Sequence, residues 1–435
     1  MSVDEQVGQC PVAHGMQPRR GSRLPGFLQT ALSFRTPGIF TRRQHAAYGD
    51  VFVAKSLVGD SISVADPTVI ESIFTAPHDS MHAGAVNATF LRALFGDRGI
   101  LVVDGDEHTA TRKALMPPFR GKAVAAYGPI IKEQAERRIA TWAVGDIIAM
   151  HPEARTITLE VILRTVFGAT DGAQLDRLRD NMVEATHITL VRTLWTVAPN
   201  VLGKVWPWRS YAKTIAQTNA LLDELIVERR KETNLDDRTD TLSQLVRSSG
   251  ENDRWIRDQL ISLLGAGHET TTTALSWAVE LLARHPEIKA KAREGDDDYL
   301  DAVIHETLRL RAVIPALGRK VSKTLKLGGY EFPAGTTINP QIDTVHRDGR
   351  LWDDPETFRP ERFLDYRPST SAYFPFGGGK RRCIGALFAH LEMKVVLRTM
   401  LDSMDFEHIG NQPEVQKISH ITLAPSEGGL IRRTR

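Results

Sequence analysis

The chain has 435 residues, room for about three domains at roughly 150 residues each. With 42% apolar and 25% charged residues it has ordinary globular usage, which excludes disordered, collagenous and low-complexity classes. Fifty-five basic against 53 acidic residues leave a net charge of +2, without the basic excess that nucleic-acid binding needs. Two cysteines, Cys10 and Cys383, exclude a disulfide framework and a zinc site of three or four thiolates. No apolar run reaches 18 residues, and the acidic start lacks the form of a signal peptide. No membrane span and a cytoplasmic location are therefore expected.

Residues 1–25 are polar and rich in Gly, Pro and Arg, and read as a flexible N-terminal arm. Residues 51–56 and 61–65 read as strands joined at Gly59-Asp60, a hairpin signal. Asp66-Pro67 then opens a helix, Asp as N-cap and Pro at the first position. From about 105 to 310 the pattern is mostly helical, with apolar residues at three- and four-residue spacing in 129–142, 156–167, 173–183 and 213–231. The charged, Ser-rich stretch 232–251 reads as a surface connection. Residues 254–284 form one long helix ended by His285-Pro286, and another covers about 298–310. Short β-like runs with Gly328-Gly329 and Pro333-Ala334-Gly335 turns fill 311–345. Residues 346–382 have little periodicity, and an irregular stretch of that length is usually functional. Residues 384–401 are helical again, with Leu387, Phe388, Leu391 and Val395 on one face, and 418–433 reads as a hairpin around residues 425–429. The chain is thus expected to be mainly α with a smaller β part. The β-rich parts are about 45–65, 311–345 and 413–433, the α-rich parts about 105–310 and 384–402, all in a single domain over 26–435.

Cys383 stands in Phe376-Gly377-Gly378-Gly379-Lys380-Arg381-Arg382-Cys383-Ile384-Gly385, just before a helix. Three features favour the thiolate over the thiol: glycines that let backbone N–H groups turn inward, the positive end of the following helix, and three neighbouring cations. The cysteine is then a ligand or a nucleophile, against the plain reading of a buried apolar side chain. A metal held by one thiolate with no second protein ligand points to haem iron, which brings four nitrogens of its own. Competing motifs fail. Gly379-Lys380 is followed by Arg381, where a phosphate loop needs Ser or Thr. His268-Glu269 and His305-Glu306 have Thr272 and Arg309 where a zinc protease needs its second histidine. No Gly-x-Ser-x-Gly elbow occurs. Glu306 and Arg309 share a helix face, and by themselves read as a weak surface pair. Ala266-Gly267-His268-Glu269-Thr270-Thr271-Thr272-Thr273 lies mid-helix although Gly and Thr are poor helix formers. The Thr270 hydroxyl can back-bond the Ala266 carbonyl, and small Ala266 and Gly267 would let a flat ligand approach the backbone.

Over about residues 25–435 these motifs, in this order, resemble the cytochrome P450 family of haem-thiolate monooxygenases, soluble bacterial type. Phe376, Gly379, Arg381, Cys383 and Gly385 fit its Cys-ligand loop, and Glu306 with Arg309 its ExxR motif. Phe358 to Phe363 fit its PERF segment, and Ala266-Gly267-x-Glu269-Thr270 its oxygen-activating stretch. His108 and Arg112 fit a His-xxx-Arg form, where many members have Trp at the first position.

The resemblance implies the P450 fold, a triangular prism with a long central helix over the haem. It implies haem b (iron protoporphyrin IX) with Cys383 as the metal ligand and His108, Arg112, Arg319 and Arg381 at the propionates. Ala266, Phe376 and Gly385 would complete the cofactor site, Glu269 and Thr270 would be the catalytic pair, and Glu306, Arg309 and Arg362 a buried network. One O2-derived oxygen atom would enter a hydrophobic substrate, fatty acid, terpenoid or steroid-like. Electrons would come from a separate ferredoxin or flavodoxin with its reductase, since about 50 residues after the Cys loop leave no room for a fused carrier; Lys380 and Arg382 are candidates for its docking face. The pocket wall is expected from the 82–103 loop, the 180–205 region, Leu263, Ala266, Thr270, Val313, Ile314, Ala316 and Leu317. His187, Arg192 and Arg209 are candidate carboxylate anchors of a kind more often found on the surface. The alternatives are a haem-thiolate isomerase, dehydratase or peroxygenase, against which the intact Glu269-Thr270 pair counts, and a non-enzymatic haem-binding protein.

Overall fold

The computed structural model describes residues 15–435 other than His78, 169–175, 182–203, 205–207, Ser249, Glu251, Asn411 and His420. One helix, Asp253–Arg284, organises it. The Asn252 side chain caps its start, accepting from the Trp255 N–H at 2.9 Å, and His285 closes it ahead of Pro286. At about 1.5 Å per residue its 32 residues span about 48 Å. It is buried on nearly every side, which explains why its sequence lacks a clean polar stripe. Trp255 to Leu264 belong to a core shared with helices Gly84–Phe95, Met150–Phe167 and Trp208–Lys231. Ala274 to Ala283 belong to a second core, shared with helices Gly128–Ile139, Asp297–Leu310 and Ala386–Ser403. Residues 265–273 fall in neither core. This central third, the stretch with the weak helix formers, is the part free to face something other than packing.

The β part is built on a six-stranded sheet in the order Arg19–Arg20, Val51–Ser56, Gly59–Val64, Thr337–Pro340, Arg319–Val321, Met81–His82. Pairing of Ile62 with Ile338 aligns the buried faces of Gly59–Val64 and Thr337–Pro340 around Val64, Ile70, Val321 and Phe332. Asp66 caps the next helix as its sequence predicts, Oδ1 accepting from the N–H groups of Thr68 (2.8 Å) and Val69 (3.1 Å). The Gly328-Gly329 turn is also as expected, both glycines at positive φ between strands Leu325–Leu327 and Tyr330–Phe332.

Four expectations differ from the structure. The first hairpin turns at Leu57-Val58, not Gly59-Asp60, because Gly59 at φ +117° pairs with Ser56 and closes the ladder one step earlier. The second half of the expected arm carries structure: Arg19–Arg20 lie parallel to Phe52–Val53, and Met16 bridges to Tyr330. The 418–433 hairpin is two devices. Gln416–Ser419 pairs with Thr422–Pro425, whereas Leu430–Arg433 joins Phe406–His408 and Ile147–Ala149 in a separate three-stranded sheet. The turn chemistry at 425–429 is present, with Gly428 and Gly429 at positive φ, but it redirects the chain between sheets instead of folding it back.

The fourth difference lies in 232–251, which is more than a surface connection. Helix Thr241–Ser248 buries Leu242 and Leu245 against the first core. Asp240 starts it, accepting from Ser243 N–H (2.9 Å) and from the buried Arg229 guanidinium (2.6 Å). Four polar and charged neighbours hide this short apolar pair from a window-based reading. Leu245→Ala should lower unfolding free energy by about 3 kcal/mol, as for a buried leucine, measured by urea denaturation. A loss within about 0.5 kcal/mol would return the segment to a passive connection.

Candidate active site

The Cys loop is shaped by its glycines. Gly377 and Gly379 sit at φ +70° and +63°, a region where any other residue is strained. A Cβ on Gly379 would lie 2.3 Å from the Phe74 carbonyl oxygen. The loop closes on itself through Cys383 N–H to Phe376 O (2.9 Å) and Gly377 N–H to Phe374 O (2.8 Å). Cys383 ends beneath a cavity of about 640 Å³, deep within the protein but open to that cavity. Burial pushes its thiol above the usual value, opposed by the Gly385 N–H and the Arg112 and Arg382 charges. The loop does supply the polar support expected of it. Desolvation outweighs that support.

Across the cavity from the loop runs the central third of the long helix. Leu263, Ala266 and Thr270 line the cavity there. The Thr270 hydroxyl donates to the Ala266 carbonyl at 2.7 Å and Thr271 to Gly267 at 3.0 Å, while Thr272 and Thr273 bond Thr158 (2.8 Å) and Thr422 (2.9 Å). Gly267 lines the cavity with Ala266, and it serves a second purpose as well: its missing side chain leaves room for Ile162, whose Cδ1 would stand 2.5 Å from a Cβ. It thus also lets helix Met150–Phe167 close in.

Glu269 does not line the cavity. It is buried and ion-paired with Arg155 at 3.2 Å, with His151 at 3.6 Å. The 100° step between successive helix positions puts it on the face opposed to helix Met150–Phe167.

The cationic rim comes from three elements. His108 and Arg112 lie one turn apart on helix Gly105–Leu115, Arg319 is on strand Arg319–Val321, and Arg381 is in the Cys loop; all four line the cavity. Asp104 binds Arg381 and also accepts from Gly84 and Ala85 N–H (2.9 and 2.7 Å), starting helix Gly84–Phe95. Sequence reasoning missed this residue. Arg112 has no hydrogen-bond or ion-pair partner among the described residues, and Arg319 bonds only its neighbour's carbonyl, Gly318 O, at 2.8 Å. Burial lowers Arg319 to about 10 and His108 to about 4, the adjacent guanidiniums adding to both shifts. Unmatched buried cations are costly, so the rim is built for anions that the protein itself does not provide.

The expected pocket residues Val313, Ile314, Ala316 and Leu317 line the same cavity. The expected 82–103 loop is largely helix Gly84–Phe95, which contributes Val86, Phe90 and Leu91. Ile418, Ile421 and Phe34 complete the wall, and nothing in their local sequence announces it. His187, Arg192 and most of the 180–205 region lie outside the described residues, and Arg209 is exposed and away from the cavity. Lys380 and Arg382 are exposed beside the loop.

Glu306 and Arg309 are fully buried, not a surface pair. Arg309 binds Glu306 through Nε (2.7 Å) and Nη2 (2.8 Å), a fork-to-fork pair, and donates to the carbonyls of His346 (2.7 Å) and Pro355 (2.8 Å). Arg362 Nε reaches Glu306 at 3.0 Å. His346 in turn accepts the Phe374 N–H on Nε2 at 2.9 Å, at the start of the Cys loop.

Comparison with known proteins bears on the family and the fold. A family model for cytochrome P450 matches residues 26–432. The chain belongs to the cytochrome P450 family, whose members are haem-binding monooxygenases. It is 39% identical over 434 residues to the Mycobacterium tuberculosis sequence named cytochrome P450 135B1, covering 96% of this chain and 91% of that one. It is 36% identical over 410 residues to cytochrome P450 138 of Mycobacterium bovis, with 91% of each covered. The retinoic acid-bound cyanobacterial CYP120A1 shares its fold at a TM-score of 0.83, over 96% of this chain and 99% of that one, at 24% identity.

Two outcomes follow for the buried groups. Arg309→Ala should destabilise the protein by about 3–5 kcal/mol by leaving Glu306 buried and uncompensated. Arg309→Lys should fail to restore it, since an ammonium cannot form the fork; urea unfolding of both variants measures this. Burial, with the Arg309 charge next, lowers His346 to about 3. The unfolded chain therefore binds more protons between about pH 6.5 and 3, and stability falls as pH drops through that window. The stability gap between wild type and His346→Gln should shrink as pH falls from 7 to 4, and a constant gap would contradict the burial argument.

Proposed function

We propose that the chain is a haem-thiolate monooxygenase that inserts one O2-derived oxygen atom into a hydrophobic substrate, fatty acid, terpenoid or steroid-like. One observation carries the reading: Cys383 and Thr270 face one apolar cavity, rimmed by three guanidiniums of which Arg381 alone pairs with a carboxylate, Asp104, among the described residues. These residues fit haem b. Cys383 would hold the iron, supported by the Gly385 N–H and the Arg112 and Arg382 charges. Arg112, Arg319, Arg381 and neutral His108 would take the propionates, and Ala266 and Phe376 would flank the macrocycle. When bound, the cofactor supplies O2 activation and the oxidising equivalent.

The chain supplies position and protons. Thr270, its own proton committed to Ala266 O, offers hydroxyl lone pairs to an ordered water over the cavity floor. Glu269 would carry protons toward that water by exchanging Arg155 for solvent. The intact pair favours monooxygenation over isomerase or peroxide-driven chemistry. Val86, Phe90, Leu263, Ile314 and Leu317 would exclude bulk water and select an apolar substrate. Exposed Lys380 and Arg382 would form part of the docking face for an acidic ferredoxin or flavodoxin supplied by its reductase.

The ferrous carbonyl adduct of the purified protein should show thiolate-type absorbance and lose it in Cys383→Ser; a histidine-type spectrum would overturn the reading. Thr270→Ala should keep haem and CO binding yet lower product formed per NAD(P)H, the missing electrons appearing as peroxide or water. Unchanged coupling would remove Thr270 from the mechanism. Spin-state titration with fatty acids, terpenes and steroids then identifies the substrate class.

A further inference from the structure

Helix Gly26–Arg35 is amphipathic the wrong way round for a soluble protein. Its one buried residue is Gln29, whose amide donates to Ser22 O (3.2 Å) and Leu24 O (2.8 Å). Its outward residues are Phe27, Leu28, Ala31 and Phe34, with Phe27 59% and Phe34 46% exposed. The hairpin turn Leu57-Val58, 66% and 65% exposed, is tied to this helix by Leu57 N–H to Thr30 Oγ1 at 3.0 Å. Gly26 lies so close to Ser56 that a Cβ would meet its carbonyl oxygen at 2.5 Å. The turn and the helix thus present one continuous apolar face.

That face has a basic surround. Residues 15–60 hold seven cations against Asp50 and Asp60, a net of +5 in a chain whose total is +2. Arg19, Arg20, Arg23, Arg35, Arg43 and Lys55 are all exposed, with no ion pair among the described residues. Asp50 is already engaged by Arg350 at 2.7 Å. Cations around exposed Phe and Leu complement an anionic interface that also accepts apolar side chains. The cavity opens on the same side: Phe34 and Ile421 are at once cavity wall and surface, and helix Gly26–Arg35 touches the Gln416–Ser419 strand beside Ile418.

We propose that this face docks the protein on an anionic lipid surface, with helix Gly26–Arg35 and the Leu57-Val58 turn in the headgroup region and the cavity mouth above the lipid. No helix among the described residues is long and apolar enough to cross the bilayer, so the proposed contact is peripheral. A hydrophobic substrate would pass from lipid past Phe34 without crossing water. Docking does not rest on the oxidation chemistry, so it is tested without turnover.

The full chain should float with phosphatidylcholine vesicles containing phosphatidylglycerol and much less with phosphatidylcholine alone. Raising the salt should weaken flotation, because exposed charges are screened beyond about 10 Å at 0.1 M and about 3 Å at 1 M. Arg23→Ala should cost about fivefold in partitioning, the equivalent of one cation near the surface. Phe27→Asp with Leu57→Asp should abolish flotation while leaving the melting temperature unchanged. Absence of flotation, or flotation that the double variant does not change, would overturn the proposal. So would salt-insensitive self-association in sedimentation velocity that the double variant removes, which would assign the face to a second copy of the chain.

Discussion

A single buried carboxylate, Glu306, holds together the part of the molecule that has no regular structure. It receives the fork of Arg309, Nε of Arg362 and the Arg359 N–H. Arg309 gives its Nη1 to carbonyls at 346 and 355, and Nη2 also reaches the Thr357 carbonyl. Residues 346–362 have few helical or strand hydrogen bonds of their own, so their backbone groups need such partners. The network is stable only when complete, because each member left alone is a desolvated charge. From it the order passes through His346 to Phe374 and into the glycine loop that presents Cys383.

The second organising fact is a mismatch of charge. Three guanidiniums and a histidine converge on the cavity, and Asp104 answers only one of them. Other buried cations are matched by carboxylates, as Arg229 is by Asp240 and Arg309 by Glu306, while Arg311 rests over the Trp277 ring. The cavity is where several cations gather around one carboxylate. That imbalance is what a dianionic prosthetic group would neutralise, and it leaves the apolar half of the cavity for a substrate that brings no charge.

The apolar face of helix Gly26–Arg35 extends the same logic outward. In the core, apolar side chains face inward and polar ones find partners; on this helix Gln29 has been taken inside and the aromatics left out. Because Phe34 belongs both to that face and to the cavity wall, whatever covers the face also stands beside the cavity.

Much of this was legible in the sequence where the controlling interaction is local. Asp66-Pro67 starts its helix, His285-Pro286 ends the long one, and the glycines of the Cys loop mark positive φ, because capping and steric freedom act within a few residues. The motif residues of the loop, Glu306, Arg309 and Ala266 with Thr270, could be named from their resemblance to family motifs, whereas spacing alone left Glu306 and Arg309 a surface pair. What the sequence could not decide is which surface each element meets. Glu269 pairs with Arg155, 114 positions away; Gly267 is small for Ile162 as well as for the cavity; the wall of the cavity borrows Phe34 and Ile421 from opposite ends of the chain; and the last strand pairs with Ile147–Ala149 instead of its neighbour. Helix and turn signals are short-range, whereas packing partners are fixed by the closure of long loops, and only the folded chain brings those residues together.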